Sequence, residues 1–585
     1  MKPILLFAAA LTATAAVAQP IPKDADSGPI LTGPQAASSA GAGPFKAVVS
    51  AAHPLASEAG LSILKQGGSA ADAAIATMLA LTVVEPQSSG IGGGGFIVYQ
   101  PAKGPMGTVD GREKAPGVAS AKQFLDDAGK PLPFMKAATG GRSVGVPGNV
   151  AAAAQAHKRW GKLPWAKLFE PAIRLAEGFP ISPTMARFIA FGQDSLKQAG
   201  PEGRALYYDK DGAPLRAGTT FRNDRLAAAL RLIAKDGPDA FYKGAIAQSI
   251  VKTVSTADAN PTAMTLADLA AYKAEARAPV CGTYRQYKVC GMAPPSSGGV
   301  GVLAMLKQLE RFDMAGLGKD NPVAWHLFGE SQRLAYADRE KWIGDPAFVA
   351  VPTKGLADPA YLGARSALIS AGDRMARAEA GMPAGAPTAR VNAADNEVAG
   401  TTNFAVADAA GNITTWTSTV EKTFGSGLVA EGFVLNNELT DFNFAPEDQG
   451  ALTANHVQPG KRPRSAMSPT IVYDASGKAI LAIGAAGGVT IIAQVTKAII
   501  GVLDWGLPVD EAIALPQLIA IGDRFAVEKG TMLEAMIPAF TGMGHKPVAT
   551  ALPLKLNGVQ RVGNGKSGGW RGGADARGEG RPAGY

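Results

Sequence analysis

Histidine, cysteine and charge are all scarce in this 585-residue chain: it has five His, two Cys and only 18% charged residues, against a usual charged share of about 25%. Two cysteines cannot build a zinc finger, an iron–sulfur centre or a cysteine-stapled scaffold. The five histidines, His53, His157, His326, His456 and His545, are scattered, and no two stand at the spacing that puts two ligands on one helix face. A histidine-based triad has few candidates, so an enzyme of this composition needs a different base. Beyond the N-terminus no uncharged apolar run reaches the ~20 residues that a membrane-spanning helix needs. The net charge of +8 is spread over 57 basic and 49 acidic residues without a Lys/Arg-dense stripe, which argues against nucleic acid as a partner. A mild positive field of this kind favours small anionic substrates.

Apolar residues are plentiful, at 46% of the chain, so a large buried core is expected rather than disorder. The length suits two to four domains, or one large sandwich with elaborations. Met1-Lys2 leads into an apolar run, Ile4 to Val17, ending Ala16-Val17-Ala18-Gln19. A basic start, an apolar stretch and an A-x-A site predict a cleaved signal peptide over 1–18 and a periplasmic or secreted product. Residues 19–45, rich in Pro, Gly, Ala and Ser, read as a flexible lead-in. Cys281 and Cys290 would face each other in a hairpin centred on Arg285-Gln286. In an oxidising compartment a bridge is open to them, and two buried free thiols fit equally well.

Helical patterns cover Pro54–Gln66, Ala70–Leu81 and much of 150–340, including Ala166–Ala176 and Asp224–Lys235. Residues 360–399 turn Ala-rich and polar, like an exposed linker. Thr401–Asp408 and Ile413–Thr419 then read as a strand pair around Ala409-Ala410-Gly411-Asn412. Ala479–Ala485 reads as a strand, and Val489–Asp504 as a helix. The last 25 residues, with nine Gly, read as loosely ordered. Several familiar motifs fail on context. Gly90–Gly95 matches GxGxxG, but a helix precedes it and a strand follows, the reverse of a dinucleotide fold; its glycines suit tight backbone packing instead. GxSxG at Gly141–Gly145 and Gly565–Gly569 lacks the strand-to-helix elbow. Ser62–Lys65 matches SxxK without the motifs that accompany it.

One constellation survives. In Glu397-Val398-Ala399-Gly400-Thr401-Thr402, a Gly–Thr bond joins the polar linker to the start of a strand. Gly leaves the carbonyl carbon uncrowded for attack by the Thr hydroxyl. An N-to-O acyl shift and hydrolysis would free Thr401 as a new N-terminus. Its hydroxyl would be the nucleophile and its α-amine, with a pKa near 7.7–8.0, the base. No histidine is required.

With its flanking motifs, the chain from about Ala47 to Tyr585 resembles the gamma-glutamyltransferase (gamma-glutamyltranspeptidase) family of self-cleaving N-terminal nucleophile hydrolases. The distinctive pieces include Gly67–Ala73, Ser89–Phe96, Arg112-Glu113-Lys114-Ala115-Pro116, Gly145–Gly148, Pro294–Gly299, Ala335–Arg339, Leu435-Asn436-Asn437-Glu438, Met467–Thr470 and the ending Pro582–Tyr585. The resemblance implies an α+β fold, a four-layer αββα sandwich with a helical large-subunit lobe. It implies a large subunit over 46–400 and a catalytic small subunit over 401–585, paired as a heterodimer. Thr401 would be the nucleophile, supported by Thr419, with oxyanion-hole amides from Gly487 and Gly488. Arg112, helped by Ser465, would hold a substrate α-carboxylate, and Glu438 and Asp441 the α-ammonium. The implied activity is transfer of a γ-glutamyl group from glutathione or related amides to water or amino acids, without metal or organic cofactor.

This sequence departs from the family pattern at four places. Asn403 stands where members often have His, and Glu421 where many have Asn. Ser465-Ala466 replaces a Ser pair, removing one hydroxyl from the carboxylate pocket. The stretch Phe442–Arg462 is shorter than a lid-bearing loop and has no Tyr. These departures resemble members that accept glutaryl groups, including cephalosporin side chains. A glutaryl or cephalosporin acylase is therefore the alternative, and an uncleaved binding homologue or a periplasmic solute-binding protein the alternative of another class.

Overall fold

A computed structural model describes residues 43–393, 399–448, 450–563 and 568–585. The expected signal peptide, nearly all of the lead-in, Glu397-Val398 and most of the second GxSxG motif lie outside the described residues.

Two six-stranded antiparallel sheets face each other. One runs Arg581–Gly584, Val48–Ala51, Thr402–Ala407, Ile413–Thr419, Gly94–Gln100, Gly107–Gly111; the other runs Gly569–Ala574, Lys555–Val562, Ala479–Ala486, Thr470–Tyr473, Tyr287–Gly291, Val280–Tyr284. Between them lies an apolar layer that includes Val48, Val98, Ala405, Ile413, Ile471, Ala482, Val559 and Trp570. Helices Pro54–Lys65 and Ala70–Val84 cover the first sheet, and Gly298–Leu309, Ile491–Leu503 and Val509–Ala514 cover the second. The result is the expected αββα sandwich. The helices between 149 and 270 extend the first helical layer into a lobe that shares its core.

Local chemistry explains why these elements begin and end where they do. Ser69 and Asp72 form a reciprocal capping box that starts the helix Ala70–Val84. All 15 of its residues are buried, as expected for a helix apolar on every side. It stops at Glu85, beside the start of strand Thr402–Ala407. That strand pairs with Ile413–Thr419 in the register Thr402↔Ser418 and Ala407↔Ile413. Asn403 binds the two sheets together. Its Oδ1 accepts the hydroxyls of Thr415 and Thr417 at 3.0 and 2.8 Å, while it exchanges side-chain-to-backbone bonds with Asn557 of the opposite sheet. Asn403 is therefore a buried tie between sheets.

Two sequence expectations need correction. The glycine-rich C-terminus is not loosely ordered: Gly569–Ala574 and Arg581–Gly584 are strands, the latter paired with Val48–Ala51. Glycine is needed there for close approach, since a Cβ on Gly572 would lie 2.4 Å from that of Pro582. The segment 360–399 is not a linker along its whole length either. It continues the helix Pro359–Ser366, and Gly381 is held by Asp338 and Trp342. Cys281 and Cys290 are directly opposed and joined by a disulfide in the predicted hairpin. Two of the rejected motifs are structural: Gly93 has the Thr419 carbonyl 1.9 Å from where its Cβ would stand, and Ser143 is buried and bonded to the Ala138 carbonyl.

Candidate active site

Thr401 stands immediately before its strand, where the two sheets and the loop Glu421–Gly425 meet. Its hydroxyl donates to the Thr419 hydroxyl at 3.1 Å, and Thr419 also accepts the Glu421 N–H at 2.8 Å. The loop is wound tightly, with positive φ at Glu421 (77°) and Phe424 (58°), conformations that cost non-glycine residues on the order of 1–3 kcal/mol each. Asn437 holds it, accepting the Lys422 N–H at 3.0 Å and donating to the Glu421 carboxylate. Asn436, its neighbour, bonds Gly92 and Gly145, so the Asn-Asn pair anchors three loops.

That loop presses on the bond before Thr401. A Cβ on Gly400 would lie 1.8 Å from the Glu421 carbonyl oxygen and 2.7 Å from the Lys422 Cα. Both are backbone atoms and cannot swing aside. Gly400→Ala is therefore expected to displace the Gly400–Thr401 bond and slow any cleavage there by a factor of about 100 or more, since misplacement by ~1 Å costs that much. Timed denaturing gels of the two proteins check this; equal processing rates would refute it.

The strand Ala479–Ala486 delivers Gly487 and Gly488 beside Thr401, with φ of +132° and +58°. Neither of their N–H groups finds an acceptor among the described residues. The turn is fixed by Thr490, which donates to the Gly487 carbonyl, and by Gln494, which donates to the Ala486 carbonyl, both at 2.8 Å. A helix follows at Ile491. Two free amides at a helix start are suited to an oxyanion.

A pocket of about 220 Å³ opens from Thr401 and is lined by Arg112, Thr419, Glu421, Glu438, Asp441, Ser465 and Gly488. The structure thus brings together most of the residues expected from sequence. Gly487 borders Thr401 on its other side, and Met467, rather than Ala466, lines the wall next to Ser465. Arg112 is 1% exposed. Its guanidinium binds Glu438 and Asp441 together, and the carbonyls of Pro463 (3.2 Å) and Arg464 (2.7 Å) fix its plane. The two halves of the expected clamp thus neutralise each other. A ligand carrying both charges can exchange partners here without leaving either half unpaired. Ser465 is set by the motif Pro294–Gly299: its N–H bonds the Pro295 carbonyl, and its own carbonyl accepts from the Ser297 N–H and hydroxyl.

Sequence reasoning assigned no role to Glu113, although it follows Arg112 directly. It is fully buried 3.9 Å from the guanidinium, and burial pushes its carboxyl up to about 7 despite Arg112. Glu438 and Asp441 already face that cation, while Tyr242 and Tyr272, packed nearby, stay neutral because burial raises both phenols. Below pH 7 Glu113 is uncharged; above it, a further negative charge competes for Arg112. Weaker binding of a carboxylate-bearing donor is therefore expected as pH rises through about 7. KM measured against pH checks this, and Glu113→Gln is expected to flatten that limb; an unchanged limb would contradict it.

A threonine hydroxyl at the head of an αββα sandwich strand, beside two amides with no acceptor among the described residues, is the arrangement of an N-terminal nucleophile hydrolase. The gamma-glutamyltranspeptidase family model matches residues 56–585, and the chain belongs to that family. It is 38% identical over 526 residues to the glutathione hydrolase proenzyme of Bacillus subtilis (strain 168), covering 88% of this chain and 87% of that one. It is 35% identical over 538 residues to the acylase ACY 1 proenzyme of Pseudomonas sp. (strain SE83), covering 91% and 92%. Among solved structures, cephalosporin acylase from Bacillus halodurans superposes with a TM-score of 0.81 at 27% identity, covering 93% of this chain and 96% of that one.

Proposed function

We propose that this protein is a self-cleaving γ-glutamyltransferase and glutathione hydrolase, exported by a signal peptide over 1–18 and processed at Gly400–Thr401 into a large chain, the lead-in 19–45 followed by the subunit 46–400, and a small subunit 401–585. The observation that carries this is the Thr401 hydroxyl, bonded to Thr419 and opening onto a buried pocket where one guanidinium meets two carboxylates. Export is compatible with the described residues, none of whose helices is long and apolar enough to cross a membrane.

In processing, Thr401 Oγ attacks the Gly400 carbonyl carbon. The C–N bond breaks as the hydroxyl proton passes to the nitrogen, which frees the Thr401 amine, and water then hydrolyses the resulting ester to give a Gly400 carboxylate and restore the Thr401 hydroxyl. In turnover, that amine takes the hydroxyl proton as Oγ attacks the γ-carbonyl of the donor. Gly487 and Gly488 stabilise the oxyanion, each such donor being worth about 3 kcal/mol. The proton passes to the leaving amine, and water or an amino acid then takes the acyl group. Arg112 with Ser465 reads the donor α-carboxylate, and Glu438 and Asp441 read its ammonium. A free γ-linked glutamyl group satisfies both, whereas a residue inside a peptide satisfies neither.

The Ala466 and Glu421 departures, with the acylase relatives, favour a second reading as a glutaryl-amide acylase. Glutaryl groups lack the ammonium and make no use of Glu438 and Asp441. Side-by-side kinetics on γ-glutamyl-p-nitroanilide and glutaryl-p-nitroanilide separate the two. The γ-glutamyl substrate is expected to have the higher kcat/KM; preference for the glutaryl one would replace the first reading with the second.

A further inference from the structure

The Gly487 turn and the Arg112 pocket both rest on one helix, Pro322–Trp342, and we propose that two of its residues divide the positioning between them: Tyr336 sets the oxyanion amides of Gly487 and Gly488, and Arg339 sets Ser465 for the donor carboxylate. The proposal rests on Thr401 being the acyl-transfer nucleophile and on the Arg112 pocket taking the charged head of the donor. The helix begins at Asn321, whose side chain accepts the Val323 N–H at 2.9 Å, with Pro322 as its first residue. Residues 324–339 are all buried, so this stretch is part of the frame rather than a surface element.

Tyr336 and Arg339 are three residues apart and share a face of the helix. The Tyr336 hydroxyl donates to the Val489 carbonyl at 2.6 Å, and Val489 directly follows Gly488. Two other braces of this turn, Thr490 and Gln494, belong to the segment that carries it and move with it. Tyr336 ties it to a separate element. Arg339 Nε donates to Ser297 Oγ at 2.7 Å, and Ser297 Oγ donates to the Ser465 carbonyl at 2.7 Å. Ser465 lines the pocket with Arg112. At the end of the helix the carbonyls of Arg339 and Glu340 each accept from Arg464 Nη1 at 3.3 Å, and the Arg464 carbonyl accepts from Arg112 Nη2 at 2.7 Å. Two lines of support thus leave one helix. The line through Tyr336 reaches amides that meet a full negative charge only in the transition state. The line through Arg339 reaches groups that hold the donor before it reacts. The first therefore acts on the rate of acylation and the second on binding. On the proposed cleavage the helix lies in the large chain and Val489, Arg464 and Ser465 in the small one, so both lines cross from one chain to the other.

The test separates rate from binding in processed enzyme. Rate is the single-turnover release of p-nitroaniline from γ-glutamyl-p-nitroanilide with enzyme in saturating excess. Binding is the competitive inhibition constant of L-norvaline, which has the α-carboxylate and α-ammonium of the donor but no carbonyl for the oxyanion amides. Tyr336→Phe is expected to slow release about tenfold, a part of the roughly 10²–10³ that loss of a whole oxyanion donor costs, with the L-norvaline constant unchanged. Arg339→Lys is expected to raise that constant about fivefold, the effect of one lost hydrogen bond, with release unchanged. If Arg339→Lys does not fold, Ser297→Ala removes the same link and carries the same expectation. Unchanged release in Tyr336→Phe overturns the proposal, as does an unchanged L-norvaline constant in Arg339→Lys. Rate and binding impaired together in either variant, the mark of a generally loosened core, overturn it too. A wild type that releases no p-nitroaniline, or that L-norvaline does not inhibit, defeats the γ-glutamyl reading itself, a separate and visible result.

Discussion

Thr401→Ala is expected to leave the chain as one uncleaved species of 59.8 kDa, less any signal peptide, and to lower turnover by a factor on the order of 10⁴ or more, as loss of a nucleophile does. Both effects follow from one atom. On the proposed mechanism the Thr401 hydroxyl accepts the acyl group in processing and again in turnover. Its loss also leaves no route to a free amine at residue 401, so nucleophile and base disappear together. Thr401→Ser keeps the hydroxyl and is expected to process, more slowly. The stability cost of Thr401→Ala is small by comparison. Its hydroxyl makes one hydrogen bond among the described residues, to Thr419, and such a bond is worth about 1 kcal/mol. A folded, inactive, full-length protein is thus the expected product; retained cleavage in it would remove Thr401 from the mechanism.

Arg112→Lys is expected to reduce kcat/KM for γ-glutamyl donors by a factor of about 10²–10⁴, from the roughly 3–5 kcal/mol lost when one partner of a buried ion pair is removed. The charge is conserved, so the loss comes from geometry. Arg112 engages Glu438, Asp441 and two backbone carbonyls through different nitrogens of one plane. A lysine ammonium is a point charge on a flexible stem and cannot satisfy this set. The two carboxylates then stay buried with one weak partner between them. Because a glutaryl donor also has the carboxylate, Arg112→Lys is expected to impair both substrates. Steady-state kinetics with the two nitroanilides check this, and a drop below threefold for both would take Arg112 out of the pocket's recognition.

The Gly400–Thr401 junction at the head of a strand was legible in the sequence because its signals are local. Gly400, Thr401 and the following alternation all lie within ten residues, and the strand pair to Ile413–Thr419 is closed by a short turn. The cysteine hairpin was legible for the same reason. What escaped depends on distant contacts. The last strand, Arg581–Gly584, follows a glycine-rich stretch that reads as disorder until its partner Val48–Ala51, more than 500 residues away, is in place. Lys555 and Glu85 meet across 470 residues. The role of Asn403 could not be read from its departure alone, because the Asn557 it bonds belongs to the other sheet. Glu113 was visible as a motif letter, but its significance lies in being sealed beside Arg112, which only packing reveals.

The scarcity of histidine is accounted for by the same chemistry. On the proposed mechanism none of the five histidines is needed as a base, because the base is an α-amine absent from the translated chain. Intact-mass analysis of the purified wild-type protein, with N-terminal sequencing of the smaller species, tests this most directly. The account predicts two fragments, the smaller beginning Thr401-Thr402-Asn403-Phe404. A single full-length species, or a small fragment beginning at any other residue, would contradict it.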